Sequence, residues 1–142
     1  MKWTDATGHS FTLRDACYVG NVEAVRALLE MGADPDMTDP DDDGWEWISA
    51  AGKTPTPLHC VAIAWTHVPE HVEIIRLLIE RGAVVADTVL QDYWIETTLT
   101  DAAIEVGRAF GIDGEHLRNL RAQHGAVEDR YDGGKVLFVE DE

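Results

Sequence analysis

Apolar positions along this chain fall into two closely similar helical stripes. Val22, Val25, Leu28 and Leu29 stand at i, i+3, i+6 and i+7, the spacing of one helical face, and Gly32 follows where a left-handed residue would end the helix. Ile74, Ile75, Leu77 and Leu78 repeat the stripe, and Gly82 repeats the stop. Shorter apolar segments starting at Leu13 and Leu58 precede the two stripes. Each unit therefore predicts a helix, a tight turn, a second helix and a glycine stop. One such pair cannot bury both of its faces, so neighbouring units must stack and share a continuous core. The pattern predicts an all-α fold.

The two units align along their whole length. "LRDACYVGNVEAVRALLEMGAD" at 13–34 matches "LHCVAIAWTHVPEHVEIIRLLIERGAV" at 58–84, with Leu13 against Leu58, Cys17 against Ala62, and Val22 to Ala33 against Val72 to Ala83. In this alignment the second copy is longer by five residues, placed in "IAWTHVPEH". A third, weaker copy runs over 99–126 as "LTDAAIEVGRAFGIDGEHLRNLRAQHGA", with the small pair Ala102 and Ala103 and a closing Gly125 and Ala126. The Gly-Ala ends at 32, 82 and 125 lie 50 and 43 apart, wider than the period of about 33 of the best-matching repeat class. Beyond them, Val127 to Tyr131 and Lys135 to Val139 flank "DGG" and predict a short hairpin, the alternative being a frayed acidic tail.

"TPLHCVA" at 56–62 resembles the signature of the ankyrin repeat, and "VEIIRLLIERGA" resembles that repeat's second helix with its terminal Gly-Ala. The resemblance is close over 20–34 and 54–84, degenerate over 98–126 and absent beyond. It implies an all-α ankyrin-repeat solenoid of about three helix-turn-helix units with long inter-repeat fingers, to which the tail residues add a C-terminal β-hairpin as the candidate cap. It also implies a non-catalytic scaffold that binds proteins through its fingers and inner helical face, and a structural His59 that hydrogen-bonds between turns. The organisation expected is one domain, 1–142: repeat 1 at about 5–38, a finger insertion at 39–55, repeat 2 at about 56–87, degenerate repeat 3 at about 97–126, and a cap or tail at 127–142. Two departures stand out. "TTLTD" at 97–101 replaces the "TPLH" turn, and no fourth unit follows, so the terminal hairpin is the expected cap.

The interval between Gly32 and Leu58 is about a dozen residues longer than a standard connection of this repeat class, and a loop of that length is usually functional. It carries Asp41, Asp42, Asp43, Trp45, Glu46 and Trp47. "DPDDDG" at 39–44 begins like a calcium loop, yet the twelfth position is Ala50 where a bidentate glutamate is required, and neither flank reads as a helix. The expectation is a lengthened finger whose carboxylates steer a partner and whose tryptophans anchor it or pack back on the stack. His67 and His71 share a metal-ligand spacing, but Pro69 between them breaks a common helix, so no metal is assigned. Trp65 and His67 in the second copy's insertion extend the expected contact set. Tyr93 and Trp94 complete it, at the place where a second finger is expected, with core packing as their alternative.

Composition narrows the function. Eleven Lys and Arg against 27 Asp and Glu give a net charge of −16, which repels phosphate backbones and anionic membranes and favours basic protein surfaces. Direct nucleic-acid binding and membrane association are therefore not expected. The 142 residues, 45% of them hydrophobic, suffice for one core. No run of eighteen apolar residues occurs and "MKWTDATGHS" lacks the features of a signal peptide, so a cytoplasmic protein is expected. Cys17 and Cys60 sit in apolar helical patterns and are read as buried free thiols. No nucleophile elbow or phosphate loop is present, so neither catalytic residues nor a cofactor are expected. A short acidic ankyrin-type chain is similar to the immunity proteins that bacteria pair with toxins. The expected partner is thus a protein with a basic surface, such as a toxin or nuclease. A general adaptor with several partners is the main alternative, and a calcium-responsive regulator the lesser one.

Overall fold

The computed structural model describes residues 1–38, 55–124, 131–132 and 135–136. The chain opens with a small antiparallel pair, β1 (Trp3–Thr4) and β2 (Ser10–Phe11), with Trp3 opposite Phe11. Asp5 holds the turn: its Oδ1 accepts from the backbone N–H and hydroxyl of Thr7 and from the N–H of His9, and these bonds keep its carboxyl below the usual range. Helix α1 (Leu13–Val19) starts at a capping box in which Thr12 and Asp15 satisfy each other's backbone N–H. Asn21 then caps α2 (Val22–Glu30) by accepting from the N–H of Ala24.

The second unit repeats this logic with different chemistry. Thr56 caps α3 (Pro57–Ala62) in a capping box completed by the His59 ring, and Pro57 occupies the first turn, where no N–H is required. Helix α4 (Glu70–Glu80) follows Pro69. Then come α5 (Asp87–Glu96), α6 (Asp101–Ala109), capped by Thr100, and α7 (Gly114–His124). The first helices pack as a row, α1 on α3 on α5, and the second helices as another, α2 on α4 on α6, with α7 laid against α6. Leu28, Leu29, Leu58, Ile74, Ile75, Leu78, Val89 and Tyr93 fill the shared core, and Cys17 and Cys60 lie in it as free thiols. Burial pushes the Cys17 thiol up.

Polar links tie the units together. The Nε–H of buried Arg14 donates to the Pro55 carbonyl at 2.8 Å, and Arg81 donates to the Leu29 carbonyl at 2.9 Å, capping the end of α2 from the next unit. His59 performs the inter-turn role the resemblance implies. Its Nδ1 accepts from the Thr56 N–H, so Nε2 carries the proton and donates to Thr88 on α5 at 2.8 Å. Burial lowers its pKa.

The packing corrects the expected register in three respects. First, Thr12 and Thr56 do the same capping job, so α1 and α3 are related by 44 positions, and Asp15 corresponds to His59. Leu13 therefore pairs with Pro57 and not with Leu58. Second, α5 belongs to the row of first helices and α6 to the row of second helices, so the third pair is α5 with α6 where the sequence suggests a unit at 97–126. The hydrogen bonds at the stops agree. Ala33, Ala83 and Ile112 donate to the carbonyls of Leu28, Leu78 and Gly107, after Gly32, Gly82 and Gly111 with φ of 98°, 102° and 100°. The third stop is Gly111, not Gly125. Third, the interval expected to hold a second finger holds helix α5.

The first finger lies outside the described residues. At the C-terminus β3 (Tyr131–Asp132) pairs antiparallel with β4 (Lys135–Val136); the remainder of the expected hairpin lies outside the described residues. No described helix is long and apolar enough to cross a membrane.

Candidate protein-binding surface

The segment between α3 and α4 folds over the ends of the first helices. His71 anchors it: Nδ1 accepts from the Val68 N–H at 3.0 Å and Nε2–H donates to the Tyr18 carbonyl at 3.1 Å, joining the second unit to the end of α1. His67 donates from Nε2 to the Val61 carbonyl at 2.9 Å. The two rings stand 5.5 Å apart, edge to face, and the His67 ring is 6.0 Å from that of Tyr93 on α5. Tyr93 in turn lies 5.7 Å from Trp94. A buried line of rings thus runs from the end of α1, across α3, to the end of α5.

Close approach makes this line possible. A Cβ on Gly20 would stand 2.7 Å from Val68 Cγ2 and 3.2 Å from His71 Cε1, and Gly20 also holds a φ of 87°. Only glycine lets the insertion sit down on the first turn. Burial drives the His67 pKa down to about 4, with the nearby His71 adding to the effect, and burial also lowers His71. Both rings are neutral hydrogen-bonding struts near pH 7. With both nitrogens of His71 engaged, that ring has no lone pair to offer a metal. Among the described residues no group of three or more His, Cys, Asp or Glu is arranged for one.

The expected contact residues divide sharply. Trp65 is 77% exposed and Trp94 39% exposed, whereas His67 is 7% exposed and Tyr93 fully buried. The Tyr93 hydroxyl donates to the Ala103 carbonyl, and burial pushes its pKa up to about 12. His67 and Tyr93 are therefore core supports, and the two tryptophans beside them face solvent. Val19 and Ile95, which the sequence reading did not single out, are 55% and 69% exposed at the ends of α1 and α5. Asp41, Asp42, Asp43, Trp45, Glu46 and Trp47 lie outside the described residues.

The ankyrin repeat family model matches residues 13–40 and 56–92. The matched spans take in α1 and α2, then α3, α4 and most of α5, and are similar to ankyrin repeats. No curated protein and no solved structure matches the chain. Ankyrin repeats are generally non-catalytic modules of protein–protein interaction, and the match suggests such a module here.

Proposed function

We propose that the protein is an acidic inhibitor of the immunity type, acting in the cytoplasm to bind and neutralise a toxin, such as a nuclease, or another enzyme with a basic surface. The observation that carries this reading is the union of ankyrin repeats with a net charge of −16. Such a charge raises the encounter rate with a basic cleft and disfavours nucleic acid and anionic membrane as partners. In this reading Asp41, Asp42, Asp43 and Glu46 steer the partner, while Trp45 and Trp47 on the finger and Trp65 and Trp94 on the helix stack dock against it. The terminal hairpin caps the array.

Co-expression with the toxins encoded beside its gene tests the proposal. One toxin should be neutralised and bound with nanomolar affinity. Rescue of none, with several micromolar partners instead, would establish an adaptor. Changing Asp41, Asp42 and Asp43 to Asn should mainly slow association and flatten its salt dependence. Trp45→Ala or Trp47→Ala should mainly speed dissociation and cost at least about 2 kcal/mol of binding. If the tryptophan variants instead melt far below the parent while their folded fraction binds normally, Trp45 and Trp47 are core residues.

A further inference from the structure

The ends of the first helices form a ledge where apolar side chains and carboxylates meet. Val19 on α1, Trp65 beyond α3, and Trp94 and Ile95 on α5 are all exposed, and each stands at or just beyond the C-terminal end of its helix in the row of first helices. Contacts beneath bring these ends together: Tyr18, next to Val19, accepts from His71; the His71 ring lies against that of His67, two residues from Trp65; and His67 lies against Tyr93, next to Trp94. Four large apolar groups on one edge exceed the scattered single residues normal for a surface.

The segments that build this edge carry charge of one sign, and arginines reach them only from outside. These segments, 18–23, 63–73 and 93–101, contain no Lys or Arg and hold Glu23, Glu70, Glu73, Glu96 and Asp101. Glu73 pairs with Arg26 and Arg76, and Asp101 with Arg121 from α7. Glu23, Glu70 and Glu96 are exposed and have no ion-pair partner among the described residues. A helix N-terminus accounts for Glu23 and Glu70 at the first turns of α2 and α4, but it does not account for Glu96 at the end of α5.

We infer that this ledge is a docking surface for a basic amphipathic protein segment, whose apolar side chains cover Trp65, Trp94 and Ile95 while flanking Lys or Arg meet Glu23, Glu70 and Glu96. The inference rests on the protein-binding reading above and assigns it a surface. Charge decides the occupant. A second copy of this chain would bring another acidic ledge against the first, and like charges facing each other oppose association.

The test uses the full chain and two labelled synthetic peptides, one of Lys and Leu patterned as an amphipathic helix and one with Glu in place of every Lys. Fluorescence anisotropy should show one-to-one binding of the Lys/Leu peptide and none of the Glu/Leu peptide. Trp65→Ser and Ile95→Ser, both at exposed positions and so expected to melt like the parent, should each weaken binding about tenfold or more. Changing Glu23, Glu70 and Glu96 together to Gln should weaken it and flatten its salt dependence, whereas Asp41, Asp42 and Asp43 changed to Asn should leave it intact. If the aspartate variant loses the peptide while the ledge variants keep it, the ledge is wrong and the finger is the binding surface, leaving the protein-binding reading in place. Failure of the parent to bind the Lys/Leu peptide saturably also overturns the ledge, and toxin rescue then decides the broader reading alone. Sedimentation showing a dimer dissolved by Trp65→Ser would overturn the inference by making a second copy the occupant.

Discussion

Replacing His67 with Gln should make the protein less sensitive to acid. In the folded chain the ring is buried, neutral and donating to the Val61 carbonyl, with its pKa driven from 6.5 to about 4. The unfolded chain protonates the same ring near pH 6.5. Below that pH the unfolded state binds more protons than the folded state, so stability falls as pH falls, and the loss is complete once pH reaches the folded value near 4. At about 1.36 kcal/mol per unit, His67 removes about 2 kcal/mol by pH 5 and about 3 kcal/mol by pH 4. His59 and His71, also lowered by burial, act in the same direction. Both contributions are present with and without His67, so the difference between the two proteins isolates the one ring. Gln suits the test because its amide N–H can reach the Val61 carbonyl without titrating. Urea unfolding of parent and His67→Gln at pH 7, 6, 5 and 4.5 should give free-energy curves that are offset but parallel above about pH 6.5 and converge below it. Curves that stay parallel down to pH 4.5 would show that the ring is solvated and that the segment between α3 and α4 does not sit on the first helices.

Two further substitutions probe the stack. Leu28→Ala and Leu78→Ala each remove a fully buried side chain from the row of second helices and should cost about 2–5 kcal/mol, read as a fall in the urea midpoint; an unchanged midpoint in both would refute the packing of α2 on α4. Gly107→Ala places a Cβ 2.6 Å from the Tyr93 hydroxyl and 2.7 Å from Leu117 Cδ1, so the usual helix gain of alanine should be overturned by a net cost of about 1–3 kcal/mol, partly relieved by Tyr93→Phe in the double variant.

The second helices were legible because their apolar positions recur at helical spacing and because Gly32 and Gly82 close them in the same sequence context. Helix α5 was hidden by its own core. Its buried face comprises Val89, Asp92 and Tyr93, so a carboxylate interrupts the apolar stripe, and the β-branched and aromatic residues around it suggest a finger strand. Gly111 carries a weaker signal because Ile112, and not Ala, follows it, whereas the Gly-Ala pair at 125 matches the other two stops. Thr12 and Thr56 held the information that sets the α1 to α3 alignment, but the residue completing each box is Asp in one and His in the other. At the surface, Trp65 and Trp94 could be singled out from residue type alone. The burial of His67 and Tyr93 could not, since it depends on where the insertion folds, against Gly20 some 50 residues earlier and against α5 some 25 residues later. Val19 and Ile95 carry no local signal, because a lone apolar residue near a helix end is ordinary until its neighbours in space are known.

Along each row the main contacts run between successive units: α1 meets α3, α3 meets α5, α2 meets α4 and α4 meets α6. With three pairs there are two junctions, and α3 with α4 takes part in both. Unravelling either end pair breaks one junction and leaves a two-unit remnant, whereas melting the middle pair breaks both and strands two single pairs, neither able to bury its faces alone. Cooperativity is therefore concentrated in the central unit, which holds the fullest form of the repeat signature, and the irregular outer units borrow their stability from it.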